Sequence, residues 1–395
     1  MILDPIQHKF LRNLIVERVY LDYNATTPTK PEVIKVMTEA LYEHGNPSSV
    51  HSFGRKAREL VENSRDSVAE LVGANATDII FTSGGTESNN MAFAASGRRR
   101  LVLSAIEHPS ILTAASQKYS DVTILPVSQD GLVSLNELSE AIGSDGSETL
   151  VSIMLANNET GVVEPIKELA NVAHLKGALF HCDAVQGPGR IPIDIRNLHI
   201  DMLSISGHKF GGPKGIGALV ISPQLQISPL IVGGGQERGW RGGTENISGI
   251  AGLGKAASLA ILDLEEIDRI RELRDTLESR IETMCPEVNI FCSDVARLPN
   301  TSSLNMPGVQ SDTQVITFDL AGIAISAGSA CSSGKVEPSH VLNAMGAMPS
   351  ISGCTIRVSM GWNSNINDID RFTSVWKATF GGLSNKYRES VSKTS

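Results

Sequence analysis

The chain has 395 residues, 41% hydrophobic and 19% charged, with 34 Lys and Arg against 43 Asp and Glu for a formal charge of −9. Those proportions belong to a folded protein of two or three domains and exclude disordered and fibrous classes. The negative balance disfavours a nucleic-acid backbone or an anionic membrane surface as the main partner.

No run reaches the roughly 18 apolar residues of a spanning helix. Met1 to Val19 carries Asp4, His8, Lys9, Arg12, Glu17 and Arg18 where a signal peptide needs an apolar core, so a cytoplasmic address is expected. Five cysteines, Cys182, Cys285, Cys292, Cys331 and Cys354, are scattered without a CxxC pair, which argues against a disulfide framework and a zinc site. Reduced thiols are expected, one of which could be chemical.

From about Tyr20 to Val220, short apolar runs alternate with segments of helical period, the signature of βα units and a mainly parallel sheet. Seven strands are predicted: Ile79–Phe81, Leu101–Leu103, Val122–Leu125, Leu150–Leu155, Ala178–His181, Met202–Ile205 and Gly217–Ile221. Helices are predicted between them at Arg55–Leu71, Glu87–Ala95, Pro109–Lys118, Leu135–Ile142 and Pro165–Lys176. One long helix, Asn246 to about Met284, reads as an interdomain element. The remainder reads as α+β, with strands at Val288–Phe291, Thr301–Asn305, Ile323–Ile325 and Thr355–Val358, and helices near Asp312–Leu320, Pro338–Met345 and Asn367–Thr379. The fold class is therefore α/β, with a smaller α+β part.

Polar clusters follow the strands. Thr82-Ser-Gly-Gly-Thr-Glu-Ser-Asn-Asn90 opens a helix with glycines, which suits a phosphate at a helix N-terminus; without a lysine it is no nucleotide loop, and a plain capping box is the alternative. His108 could stack on a planar cofactor and move protons, and Asn158 could bind a ring substituent or a substrate carboxylate. An ordinary turn would explain either one alone. Asp183, in His181-Cys-Asp-Ala-Val-Gln186, ends a strand where α/β folds place ligands, and a pyridoxal 5'-phosphate (PLP) ring needs a carboxylate on its nitrogen; a helix cap is the competing role. Gln186 could donate to the ring's phenolic oxygen. In Ser204 to Gly217, Ser206, His208 and Lys209 run from a strand end into a glycine-rich loop. A desolvated lysine there becomes a Schiff-base nucleophile. Last, Cys331 lies among small residues in Ser326–Gly334, a composition that predicts an exposed, mobile loop and a reactive thiol.

Together these pieces, from Tyr20-Leu-Asp-Tyr-Asn-Ala-Thr-Thr-Pro28 to about Phe372, resemble the cysteine desulfurases of the NifS/IscS type, within the class V aminotransferase-like, fold-type I PLP enzymes. The resemblance implies a large PLP-binding domain over 20–262, with a seven-stranded sheet, and a small domain of 1–19 and 263–395. It makes Lys209 the Schiff-base lysine, Asp183 the partner of the ring nitrogen, Gln186 the donor to the ring oxygen and His108 the stacking and acid/base residue. Gly85, Thr86, Ser206 and His208 would hold the phosphate, completed by Thr244 of Arg241-Gly-Gly-Thr244 from the other subunit of a homodimer. Asn158 and Arg357 would face L-cysteine, and Cys331 would take its sulfur as a persulfide, leave L-alanine, and hand the sulfur to an acceptor protein. The sequence departs from the family pattern in its first 18 residues and at Gly85, where a relative may carry Ala. A PLP lyase or aminotransferase, or a scaffold that lost its chemistry, are the competing readings.

Overall fold

The structure, a computed structural model, describes residues 18–225, 228–328 and 338–384. The strands are β1 Val19–Tyr20, β2 Ile79–Thr82, β3 Arg100–Ser104, β4 Asp121–Leu125, β5 Thr149–Ser152, β6 Leu179–Asp183, β7 Met202–Ser206, β8 Gly217–Ile221, β9 Thr301–Asn305, β10 Ile323–Ala324 and β11 Thr355–Ser359. The longer helices are α1 Pro31–Leu41, α2 Ser52–Val72, α3 Gly85–Ser96, α4 Pro109–Lys118, α5 Leu135–Ile142, α6 Ile166–Leu175, α7 Ile247–Asp263, α8 Ile267–Met284 and α9 Ser311–Leu320. Two short helices, α10 His340–Ala344 and α11 Pro349–Ser352, precede the last, α12 Ile366–Thr379.

Seven strands form one sheet in the order β2-β8-β7-β6-β5-β3-β4, parallel except where β8 pairs with β2 and β7. Its inner strands are buried on both faces, as near-continuous Val, Ile and Leu require when helices cover a sheet from both sides. The helices that close it pack tightly. A Cβ at Gly254 of α7 would lie 2.6 Å from the Cα of Ser64 on α2, so only glycine allows that approach.

A second core gathers Val19, Leu21, Leu277, Ile356, Phe372 and Trp376. Around it β9 and β11 pair antiparallel, while β1 pairs parallel with β10.

Three local expectations change. The long helix after Asn246 is two helices, α7 and α8, joined by a 3-10 turn at Leu264–Glu266. Asp263, Glu265 and Glu266 place three carboxylates within four residues, and Asp263 is drawn to the Lys30 ammonium, so a straight helix is disfavoured there. Val288–Phe291 forms no strand but a single bridge, Ile290 to Leu304, because Cys292 takes a left-handed φ of 58° and turns the chain. Helix α1 was not among the expected helices. Its signals are ordinary ones: Pro31 at its first turn, then Glu32.

Candidate active site at the carboxyl edge of the sheet

The carboxyl ends of neighbouring strands bring the polar clusters together. Asp183 closes β6, and Lys209 follows β7 through a one-turn 3-10 helix, Gly207–Lys209. The Asp183 carboxylate is buried and, among the described residues, accepts only from neutral donors: the Asn89 amide at 2.8 Å and the Val185 N–H at 3.0 Å. The Lys209 amine donates to the carbonyls of Asn24 at 2.7 Å and Ala25 at 3.0 Å. Among the described residues no carboxylate pairs with it. Burial, reinforced by the guanidinium groups of Arg357 and Arg190, pushes this amine down to about 7.

Gln186 donates to the same Asn24 carbonyl at 3.1 Å and takes the Arg190 guanidinium on its own oxygen. Arg190 is buried, and among the described residues it bonds only to carbonyl oxygens, the backbone ones of Gln186, Tyr23 and Lys209 and the side-chain one of Gln186. A buried cation left without a carboxylate repels other cations nearby, and burial pushes Arg190 itself down to about 9.

Helix α3 starts beside Ser206. Gly84 caps it at φ 145°, and a Cβ there would project toward the Ser206 hydroxyl, 3.7 Å away, with no other atom within 4 Å. The N–H groups of Gly85, Thr86 and Glu87 open this helix and have no carbonyl four residues back. Gly85 packs against Val185 and Ser206, so a Cβ there would sit 2.9 Å from a Val185 methyl. Thr86 is exposed at the rim. His208 bonds Thr26 through Nδ1 at 3.1 Å, and burial together with Lys209, Lys214 and Arg190 pushes it down to about 4.

His108 caps α4 with its ring, Nδ1 accepting the Ser110 N–H at 3.1 Å, and burial lowers its pKa below the usual histidine value. On the facing side, Arg357 of β11 donates to the Asn158 carbonyl at 2.9 Å and to Asp22 at 2.7 Å, while its buried Nε–H has no acceptor. The Asn158 side chain makes no hydrogen bond among the described residues. Thr244 is exposed and likewise makes none, although Arg241 beside it pairs with Glu87 of α3 at 2.9 Å. Cys331 lies outside the described residues.

Several residues here were not singled out from sequence. Asn24 is the clearest: its amide bonds the Asn158 carbonyl and Thr301, and Asn300 bonds its side-chain oxygen. It thus ties the Lys209 region to β9. It lies inside the Tyr20–Pro28 motif, which was the available signal. Asn89 lies inside the Thr82–Asn90 motif, where it was weighed only as part of a helix cap, whereas Ser110 and Arg190 carried no comparable signal. A cavity of about 220 Å³ behind Lys209, lined by Tyr23, Arg190, Asp263, Arg269 and Trp362, excludes Asp183 and His108.

Residues 19–372 match the model of the aminotransferase class-V family, and the chain belongs to that family. It is 44% identical over 363 residues to "Cysteine desulfurase IscS" of Dictyoglomus turgidum, an alignment covering 89% of this chain and 92% of that one. The fold overlays a NifS-like protein from Rickettsia africae with a TM-score of 0.86 at 38% identity, covering 92% of this chain and all of the other. SspA, solved in complex with cysteine, overlays with a TM-score of 0.73 at 34% identity over 87% of this chain and 98% of its own. The fold is that of the fold-type I enzymes, and the family's cofactor is PLP. The edge of the sheet fits that group. It offers an opening at Gly84 faced by amide N–H groups and a serine hydroxyl, a buried carboxylate bonded only by neutral donors, and an amine near neutrality.

Proposed function

We propose that the chain is a cysteine desulfurase, converting L-cysteine to L-alanine and passing the sulfur through a persulfide on Cys331 to an acceptor protein. The sulfur then serves iron–sulfur cluster assembly or other sulfur-containing molecules. The observation that carries this is the placing of Asp183 and Lys209 after adjacent parallel strands, one a buried carboxylate bonded by the Asn89 amide and the Val185 N–H and the other an amine pushed to about 7. Relatives named cysteine desulfurase and the cysteine-bound SspA support the substrate.

In this reading Gly85, Thr86, Ser206 and His208 would hold the phosphate of PLP, Asp183 its ring nitrogen, Gln186 its ring oxygen, and Lys209 its carbonyl carbon. When bound, PLP supplies an electron sink for the pair released at the substrate's Cα. The free Lys209 amine would be a base of the right strength to take the Cα proton near neutral pH. Asn158 and the open Nε–H of Arg357 orient the substrate carboxylate. The Cys331 thiolate attacks the substrate sulfur; the C–S bond breaks, its electron pair goes to Cβ, which takes a proton, and the Lys209 ammonium returns a proton to Cα to give alanine. Sulfur ends on Cys331 as S–SH. The described cysteines are poor competitors, because Cys182, Cys285, Cys292 and Cys354 are all buried, and burial raises the pKa of Cys182, Cys292 and Cys354.

The working unit is a homodimer in which Thr244 of each chain completes the other's phosphate site. Exposed apolar side chains at the end of α1 and the start of α2, Leu41, Tyr42, Val50 and Phe53, support it, since a monomer gains nothing by leaving them in water. Residues 20–262 form the PLP-binding domain, and 1–19 with 263–395 form the domain bearing Cys331; the separate second core supports this, although Leu21 packs in it. A cytoplasmic site of action follows from the charge and the free thiols, with no membrane or nucleic acid as partner. Ile247–Met284 passes the length and composition test for a membrane span, but half of its apolar window is buried in the protein.

The test is mass spectrometry after brief exposure to cysteine. A sulfur adduct mapped to Cys331, absent in Cys331→Ser together with alanine release, is the expected result. Full alanine production by Cys331→Ser, or amino transfer to a 2-oxo acid in its place, would overturn the reading.

A further inference from the structure

His108 and Asp183 are joined by hydrogen bonds that the steps above do not use. Asn89, on the second turn of α3, is 1% exposed. Its amide nitrogen gives one hydrogen to Asp183 Oδ2 at 2.8 Å and the other to Ser110 Oγ at 3.0 Å. The reverse orientation would set an amide oxygen against a carboxylate, so this one is forced. The Asn89 oxygen is left buried with no partner among the described residues, at a cost to stability. An amide kept for packing alone has no reason to carry that cost.

The Ser110 hydroxyl, having accepted from Asn89, has one hydrogen to give, and His108 Nδ1 lies 2.8 Å away. The Ser110 backbone N–H donates to the same Nδ1 at 3.1 Å. Two donors converging on Nδ1 require a lone pair there, which places the ring proton on Nε2. Asp183, Lys209 and His340 are the charged or titratable groups facing the ring; Asp183 favours its protonated form, and burial with the other two favours the neutral one.

We infer that Asn89 and Ser110 are positioning residues that fix His108 as a neutral Nε2–H hydrogen-bond donor, tied to Asp183, and not as a general base. A ring held this way polarises what it faces, but it has no free nitrogen turned to the site with which to take a proton. The thiol protons of the reaction then leave by another route. The inference rests on the proposed role of Asp183 at the cofactor site, and it replaces the acid/base role that the family resemblance implies for His108 while keeping its place beside the ring.

The test uses the full-length PLP-loaded enzyme labelled with ¹⁵N-histidine, with the His108 signals identified among nine histidines by their loss in His108→Gln. Nδ1 is expected to resonate as an unprotonated ring nitrogen and Nε2 as a protonated one. Ser110→Ala and Asn89→Ala should each shift His108 toward a mixture of tautomers and lower kcat about tenfold with KM for cysteine unchanged. Ser110→Thr, which keeps the hydroxyl, should retain the parental spectrum. A parental His108 with its proton on Nδ1, or unchanged His108 signals in both alanine variants, would overturn the inference. If Asn89→Ala does not fold, Ser110→Ala at its half-exposed position decides alone. A chain that makes no alanine from cysteine while its His108 signals respond as stated would remove the desulfurase reading and leave this one standing.

Discussion

The two ends of the seven-stranded sheet treat charge in opposite ways. At the amino ends of the strands opposite charges pair: Arg100 with Asp121 at 3.2 Å, Arg99 with Glu148 at 3.5 Å, and His174 with Asp201 at 2.8 Å. At the carboxyl ends Asp183 bonds an amide and an N–H, while Lys209 and Arg190 bond carbonyls. Histidines report the difference. The bond to Asp201 raises the pKa of His174, whereas burial among cations pushes His208 down to about 4. Ion pairing neutralises charge and ends its influence; bonding to neutral dipoles leaves the field in place for a reacting group. One sheet thus carries a settled edge and a poised one.

The sharpest way to break this comparison is at Lys209. Lys209→Ala should lower alanine formation by at least about 10³-fold and abolish the borohydride-fixed PLP adduct, read by mass spectrometry. Parental turnover in that variant would mean the amine was never poised for chemistry. Asp183→Asn removes the unpaired charge while keeping the shape, and kcat should fall by about 10²- to 10³-fold with the circular dichroism spectrum unchanged. Equal activity would make Asp183 a structural cap.

Arg190→Met sharpens the picture without touching the reacting atoms. Lys209 has its pKa lowered, so its amine is charged below about 7 and neutral above it. PLP capture by the apoprotein needs the neutral amine, so its rate should rise as pH passes about 7. Losing the Arg190 cation moves the lysine pKa up, and the rising limb should move to higher pH in stopped-flow absorbance. A limb that stays in place would show that burial and Arg357 set the shift without Arg190. The smallest effect belongs to the settled edge: Arg99→Ala breaks a largely exposed pair and should change stability by less than about 0.5 kcal/mol in chemical denaturation, with activity intact.

Much of the poised edge was legible because its residues sit in short runs with their own chemistry. Asp183, Gln186, Ser206, His208 and Lys209 each follow an apolar run that could only be a strand, and glycines beside Thr86 marked the helix opening. What escaped was contact across the chain. Asn89 meets Asp183 over 94 positions, and the Asn24 side chain meets Thr301 over 277, separations that no local periodicity records. The break between α7 and α8 escaped for another reason: helical spacing of apolar residues continues through 263–266, and only the clustered carboxylates oppose it.

The short strand β1 has a temporal meaning as well. Val19 pairs with Ile323 and Asp22 bridges to Ser359, so the start of the chain finds its partners only after some three hundred further residues have been made. The stretch just beyond it supplies the Asn24 and Ala25 carbonyls that hold the Lys209 amine. On the ribosome the large sheet can therefore close early, but the floor beneath Lys209 is completed only after β11 has been made, which couples the ability to capture the cofactor to the arrival of the second core.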